Sequence, residues 1–349
     1  MSKEKKEARK SAAVTAKQMS PLKRFFMEPY SSAVVAIVLL LVVFSVSTES
    51  FLSQYNLFNL SRTASIYAFI AAAQLMVAVI GGMNLAVGAV GSLATVLMGE
   101  LMQNFGWGTF PTVVATIVIG GICGLINGFL INKLKLQPFV ITLAMSFVYN
   151  GISVGISHGM PYELNAGFDT LGRQMVGPTS LLFILMIIMV LILLVFFRYM
   201  RIGRDVLAVG GNATAAALSG IKVDRVNILC NTASCMFAAV AALLWASRSG
   251  SATSTTGSDW MLYSFAICAI GGIRLNGGNF TAVGFFCGAW ILTMIRNGLT
   301  MMNVDIYYEQ AFLGIIILLA VSLESLRLKM AEQMKSRCAP CRTVRLNHT

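Results

Sequence analysis

Few residues in this chain have the type and spacing for bond-making chemistry. Cys338-Ala-Pro-Cys341 has the C-x-x-C spacing of a thiol or metal pair, with His348 close by. A zinc site needs a further ligand and a folded surround; a short basic tail supplies neither, so the pair reads as part of a disordered tail. There is no G-x-x-x-x-G-K-S/T phosphate loop, no H-E-x-x-H, no G-x-S-x-G and no pair of carboxylates within an apolar run. The chain therefore lacks the means to bind ATP in the Walker manner by itself, and the usual hydrolytic constellations are missing too. What remains is hydrogen bonding. Asn84, Asn127, Asn150 and Asn297 each lie inside an apolar run. An amide there can meet a polar solute in passage or tie one helix to another. Both readings stay open, and the four are the candidate pathway residues.

Composition dictates the elements that must position these amides. Hydrophobic residues make up 57% of the chain and charged residues 11%, against about 25% charged in soluble domains. This is the composition of an all-α polytopic membrane protein. Ten apolar runs approach the roughly 20 residues needed to cross hydrocarbon: 32–46, 64–80, 85–102, 111–131, 139–157, 179–197, 228–246, 261–273, 280–299 and 310–326. The third and eighth are short or broken by glycine and are expected as interrupted or re-entrant helices, which survive where protein or water lines them. The expected organisation is a basic segment over 1–30, a membrane domain over 31–327 and a basic tail over 328–349. The first span is read as retained, because no cleavage signature follows it. Cys123, Cys230, Cys235, Cys268 and Cys287 fall in spans and are expected as apolar filling, and Trp245, Trp260 and Tyr263 as interfacial anchors.

The net charge of +12 reports topology. With both termini in the cytoplasm, cytoplasmic segments hold 22 of the 26 Lys and Arg, which is the positive-inside pattern. Only Arg62, Arg173 and Arg248 fall in external segments, and Arg296 lies within the ninth span. No nucleic-acid partner is implied. Ionisable residues within spans, Glu100, Arg296 and Glu324, lie near span ends. A carrier driven by protons or sodium usually holds acids at mid-membrane, so the energy source is expected on another polypeptide.

The largest polar island runs from Arg198 to Arg225, within a cytoplasmic loop over 198–227. Asn212 is placed to cap a short helix over 213–219 by accepting backbone N–H bonds, and Gly220 suits the left-handed residue beyond its end. A helix this short is unstable alone, so it must dock on something, and a partner protein is the expected surface.

Two stretches echo each other: Ile80-Gly81-Gly82-Met83-Asn84-Leu85 and Ile270-Gly271-Gly272-Ile273-Arg274-Leu275, followed later by Asn127-Gly128 and Asn297-Gly298. Two pseudo-repeated halves with Gly-broken segments point to a transport pathway. Four motifs stand in order: G-G-M-N-L-A-V-G-A-V at 81–90, Q-P-F-V-I-T-L-A at 137–144, R-x-G-R-x-x-x-A-x-G-G-N-x-x-A-A-x-x-S-G-I at 201–221, and A-I-G-G-I-R-L-N-G-G at 269–278 with N-G-L at 297–299. Over residues 35–326 the chain resembles the permease subunit of a ribose-type ABC sugar importer, a binding-protein-dependent transport family.

The resemblance implies a dimer with a second copy or a paralogue in the bacterial cytoplasmic (inner) membrane, surrounded by lipid. It implies a cytosolic ABC ATPase that carries ATP and Mg, so that this chain has no cofactor and no catalysis of its own, and an external or periplasmic solute-binding protein. Thr214-Ala215-Ala216 with Gly220 keeps the family's E-A-A-x-x-x-G spacing with Thr in place of Glu. The ATPase-coupling residues carried over are Arg201, Arg204, Gly211, Asn212, Thr214, Ala215, Ala216 and Gly220; Arg201 and Arg204 serve equally well as topology-setting charges. Where the family usually reads G-I-D-L, this chain has Gly82-Met83-Asn84-Leu85, so no role that needs a charge passes to Asn84. The implied solute is a monosaccharide or similar small polar molecule. The alternatives are a permease of the same superfamily for branched-chain amino acids or nucleosides, a self-sufficient secondary carrier and, least economically, a structural assembly factor.

Overall fold

A computed structural model describes residues 31–48, 50–164, 167–168, 172–176, 179–274 and 277–303, and residues 305, 308, 310–312, 314–315 and 318. The basic segment 1–30, the tail with Cys338 and Cys341, and most of the tenth expected span lie outside those residues.

Nine apolar helices coincide with the first nine expected spans. They are α1 (Ser31–Ser47), α2 (Gln54–Ala78), α3 (Val87–Gln103), α4 (Thr109–Leu134), α5 (Pro138–Ser157), α6 (Leu181–Tyr199), α9 (Val223–Ser249), α10 (Trp260–Ile270) and α11 (Ala282–Met301). Six of them, α2, α4, α5, α6, α9 and α11, are long and apolar enough to cross a membrane; α1, α3 and α10 are shorter. Between α6 and α9 lie α7 (Arg201–Gly211) and α8 (Ala213–Leu218).

The helix α2 starts well before the apolar run that predicts it. Its first residues are polar, but Ser53 caps them by accepting from the Asn56 N–H at 3.3 Å. From Ala64 onward it is Ala-rich and, apart from Gln74 and a few hydroxyls, apolar on every side. A helix of that kind belongs in an interior, and α2 is buried nearly all round among α6, α9, α10 and α11. By contrast α6 leaves Ile188, Leu191, Ile192 and Val195 outward, as a helix facing lipid does.

On the long α4–α9 contact, Gly120, Gly124 and Gly128 form one small-residue stripe four residues apart. A Cβ on Gly124 would lie 2.5 Å from Asn231 O and Thr232 Cα, and one on Gly128 would lie 2.8 Å from Ile228 Cα. Close backbone approach of this kind drives helix association in lipid.

The fold is not purely helical. Tyr162–Glu163 (β1) pairs antiparallel with Ser251–Ala252 (β4), and Met175–Val176 (β2) with Thr179–Ser180 (β3). The β1 strand is pinned by the Tyr162 hydroxyl, which donates to Glu100 at 2.7 Å. Burial first, and then that bond, pushes the phenol up to about 12, so the pin holds throughout the physiological range. Trp260 and Tyr263 do not face outward as anchors in lipid would: they are 3% and 4% exposed, and a Cβ on Gly91 would lie 2.5 Å from the Trp260 ring. The five cysteines of the spans are free and buried.

The internal echo has a structural counterpart with a shift of one residue. Both α2 and α10 end in a Schellman turn, the N–H two residues past the cap returning to a carbonyl in the last turn. In the first, Gly81 takes the left-handed position (φ 79°) and Gly82 N–H bonds Val77 O at 3.0 Å. In the second the left-handed residue is Gly272 (φ 69°), and Ile273 N–H bonds Cys268 O at 3.0 Å. Gly81 thus matches Gly272, not Gly271 as the two strings alone would align.

Candidate functional site

The four motifs, far apart in sequence, meet at one junction. After α2 the chain is non-helical until Val87, and its backbone polar groups need partners at membrane depth. Asn84 Oδ1 accepts from Ala86 N–H at 2.9 Å, and Thr142 Oγ1 on α5 accepts from Leu85 N–H at 3.1 Å. The first and second motifs are joined in this way. Val79 O, two residues before the first motif, accepts from Gly278 N–H at 2.8 Å, which brings the fourth motif beside the first. Gly277 is left-handed (φ 88°) and backs onto Gly210 and Gly81. Gly210 itself lies against Val79 and Gly278 so closely that a Cβ there would collide with both backbones. The 198–227 loop therefore touches the broken segments of both halves at Gly210.

That contact is held by α7, a helix the polar string 201–211 does not advertise. Gly203, Val206 and Val209 recur at threefold spacing and are buried, while Arg201, Ile202 and Arg204 face out. After it α8 forms with the expected ends. Asn212 Oδ1 accepts from Ala215 N–H at 2.9 Å, and Gly220 is left-handed (φ 88°) with Ile221 N–H bonded to Ala216 O at 3.1 Å. Of the coupling candidates, Gly211, Asn212, Thr214, Ala215 and Gly220 are exposed. Ala216 is buried in the same cluster as Val226 of α9, so it seats α8 on the core. Leu218, which the E-A-A spacing does not mark, is 87% exposed; an apolar side chain standing off a six-residue helix is the clearest unpartnered contact point on this face.

The four asparagines occupy different places. Asn84 and Asn127 are fully buried. Asn84 donates to Ser234 Oγ of α9 at 2.8 Å, and the Tyr149 hydroxyl lies 2.9 Å from Asn127 Oδ1. Asn150 is exposed on the outer face of α5, beside Gly151 and Gly155, where an added Cβ would meet nothing within 4 Å. Asn297 exchanges amide bonds with Asn56 of α2 at 3.0 and 2.9 Å. A prediction follows for the family departure at residue 84. Asn84→Leu removes the acceptor for a buried N–H and is expected to cost about 1–3 kcal/mol. Asn84→Asp keeps that acceptor and lets the Ser234 hydroxyl donate, so it should lose less. Thermal melting of both variants in one detergent decides the order.

A second feature sits at the other end of the helices. A cavity of about 410 Å³ lies between α2, α9 and α11, lined by Leu60, Thr63 and Tyr67, by Trp245, Arg248 and Ser249, and by Thr293, Arg296, Asn297 and Thr300. Each helix contributes residues one turn apart, a pattern invisible until the three are packed together. Arg248 donates to Thr63 Oγ1 at 2.7 Å. Arg296 donates to the Tyr67 hydroxyl, and its guanidinium lies 5.6 Å from the Tyr67 ring and 4.7 Å from the Tyr263 ring.

Comparison with known proteins identifies the family. A family model described as branched-chain amino acid transport system / permease component matches residues 56–321. The chain is 33% identical over 293 residues to the ribose import permease protein RbsC of Bacillus subtilis (strain 168), covering 82% of this chain and 89% of that protein. It is 28% identical over 319 residues to the ribose import permease protein RbsC of Escherichia coli (strain K12), covering 87% and 97%. It is 32% identical over 314 residues to the galactose/methyl galactoside import permease protein MglC of the same organism, covering 84% and 93%. No solved structure matches the chain. The matched region takes in the two Gly-broken segments, the start of α5 and the α7–α8 loop that meet at the junction, and the chain belongs to the permease component family of branched-chain amino acid transport systems.

Proposed function

We propose that this chain is the membrane subunit of an ATP-driven importer for a monosaccharide, working as a dimer with ten spans and both termini in the cytoplasm of the bacterial inner membrane. The ATPase, with its ATP and Mg, is a separate cytosolic protein that grips α8, and an external binding protein delivers the solute. The observation that carries this reading is the exposed, doubly capped α8, mounted on α7, whose Gly210 touches the broken segments of both halves. A push on α8 therefore reaches the segments that would have to move for access to alternate. Relatives named for ribose and galactose import favour a sugar over an amino acid or nucleoside. The second copy covers the outer face of α5: Gly151 and Gly155 stand four apart and open, the spacing that lets helices close in lipid, and Asn150 beside them would otherwise face hydrocarbon. Asn297, which lines the cavity, is the pathway residue this arrangement retains in reach of a solute; Asn150 meets the second copy, and Asn84 and Asn127 act by holding helices.

The test is co-purification. The intact chain is tagged, extracted in mild detergent with its native partners, and the eluate is assayed for ATP hydrolysis. Leu218→Glu and Ala215→Arg alter the exposed side of α8 and leave Ala216 seated. Each is expected to remove at least nine-tenths of the hydrolysis, as loss of a central interface contact does at about 2 kcal/mol or more, with an unchanged elution volume for the chain itself. Uptake driven by an ion gradient with no ATPase present would replace the reading with that of a secondary carrier.

A further inference from the structure

The four basic residues that the topology leaves outside the cytoplasm are scattered in sequence and gathered in space. Arg62 on α2 lies within electrostatic reach of Arg248 and Arg173, and Arg248 within reach of Arg296. Like charges in apolar helices are costly and mark function by default. Among the described residues that line the cavity there is no carboxylate. Asp259, an acid near the cavity among the described residues, is engaged with Gln310 at 3.0 Å and with the Tyr263 hydroxyl at 3.4 Å. The neutral polar groups of the lining are also taken. Asn297 pairs with Asn56, Thr293 donates to Ala289 O at 2.7 Å, and Thr300 donates to Arg296 O at 2.9 Å. Arg248 differs: a guanidinium has five N–H donors, and Thr63 engages one group of this one. Arg62 Nε, nearby, is buried with no hydrogen-bond partner among the described residues. The hydrogen-bonding capacity left over here is cationic.

We propose that this cavity is an oxyanion site, which takes one carboxylate or phosphate group against Arg248, with Arg296 fixed on its two tyrosines as the second positive charge. Arginine's planar fork suits either group. The volume of about 410 Å³ falls in the range of pockets that hold small molecules, and Tyr67 and Trp245 offer apolar walls to whatever carries the charge. Two sources can present such a group from outside: a free acidic solute, a sugar acid or sugar phosphate in place of a neutral sugar, or an acidic side chain of a docking protein. The proposal rests on the importer reading only for the side of the membrane to which the cavity opens.

The experiment uses the purified full chain in phosphatidylcholine nanodiscs and calorimetric titration with inorganic phosphate, glucuronate, glucose and N-acetylglutamate amide. Phosphate and glucuronate are expected to bind and glucose at the same concentration not, with affinity falling as salt rises. Arg248→Gln should weaken glucuronate about tenfold or more, the scale of one lost charge-assisted bond, and Arg248→Lys, which keeps the charge, should weaken it less. Glucuronate binding tighter than the glutamate derivative assigns the site to a free solute; equal binding assigns it to a protein side chain. No anion binding by the parent, or binding unchanged in both Arg248 variants, overturns the proposal. Binding is read without any ATPase, so its failure leaves the co-purification result standing, and failure of co-purification leaves the anion titration standing.

Discussion

Gly210→Ala is expected to destabilise the protein and uncouple it from the ATPase proposed as its partner, while the same change at the next residue, Gly211→Ala, is expected to be neutral or slightly stabilising. A Cβ on Gly210 would collide with Val79 O and Gly278 N, both of them backbone atoms, the first in the turn that closes α2; a Cβ on Gly211 would meet nothing within 4 Å. A flexible side chain can step aside, but these backbones are tied by the Gly278 N–H bond to Val79 O. Overpacking of a filled site costs about 1–3 kcal/mol and occasionally more, and here the colliding group is main chain, so the upper end is expected. Gly211→Ala instead trims the freedom of the unfolded chain, a gain of about 0.4–1 kcal/mol. Melting in detergent gives the stability difference, and ATPase co-purification tells whether a survivor still transmits. Should Gly210→Ala melt with the parent and retain its ATPase, α7 does not press on the two broken segments and the junction loses its mechanical meaning.

The junction was half legible in the sequence. The four motifs and their order are plain strings, and the ends of α8 follow from Asn212 and Gly220 alone, because both are local effects decided within a few residues. Convergence of the motifs is not local. Nothing in the strings says that Gly277 backs onto Gly210, or that Thr142 completes the backbone bonding of Leu85, since each pairing spans dozens of residues. The helix α7 was hidden for a different reason. Arg, Asp and Gly-Gly read as loop, and only the buried face of Gly203, Val206 and Val209 against the core makes a helix of it. Tertiary packing overrides propensity there. The start of α2 was missed similarly: a window of apolar residues opens at Ala64, yet the polar turn before it is helical because Ser53 caps it and Asn56 finds Asn297 and the Phe51 carbonyl.

The cavity shows the other limit. Arg296 reads as a charge near a span end that can reach the interface, and Arg248 as an external residue of no special note. Each inference is sound for a residue considered by itself. What the residues become depends on three helices placing them on one wall. The topology nevertheless contained the clue, because it singled out the basic residues that break the positive-inside pattern. Exceptions to a charge rule in a membrane protein are worth tracing in space before being explained one by one.

The same contrast between local and spatial information sets the second large effect. Gly124→Ile is expected to separate α4 from α9 and to abolish the folded state, at a cost above about 3 kcal/mol. The glycines of the fourth span read from sequence as helix packing or pathway. In the fold Gly124 is held between Asn231 O and Thr232 Cα, each 2.5 Å from where a Cβ would stand, with Gly120 and Gly128 doing the same one turn away on each side. Here α9 carries the core outward from α2, so prising α4 away also strips the cover from Asn127 and Cys235. Gly121, the adjacent glycine, would meet only the flexible Met236 side chain, at 3.6 Å. Gly121→Ala is therefore the matched control and should fold. Yield of monodisperse protein after extraction, with melting of whatever survives, separates the two. Were Gly124→Ile to express and melt like Gly121→Ala, the close approach of α4 and α9 would not be what holds this half of the protein together, and the stripe would have to be read as a surface open to a solute or a partner helix.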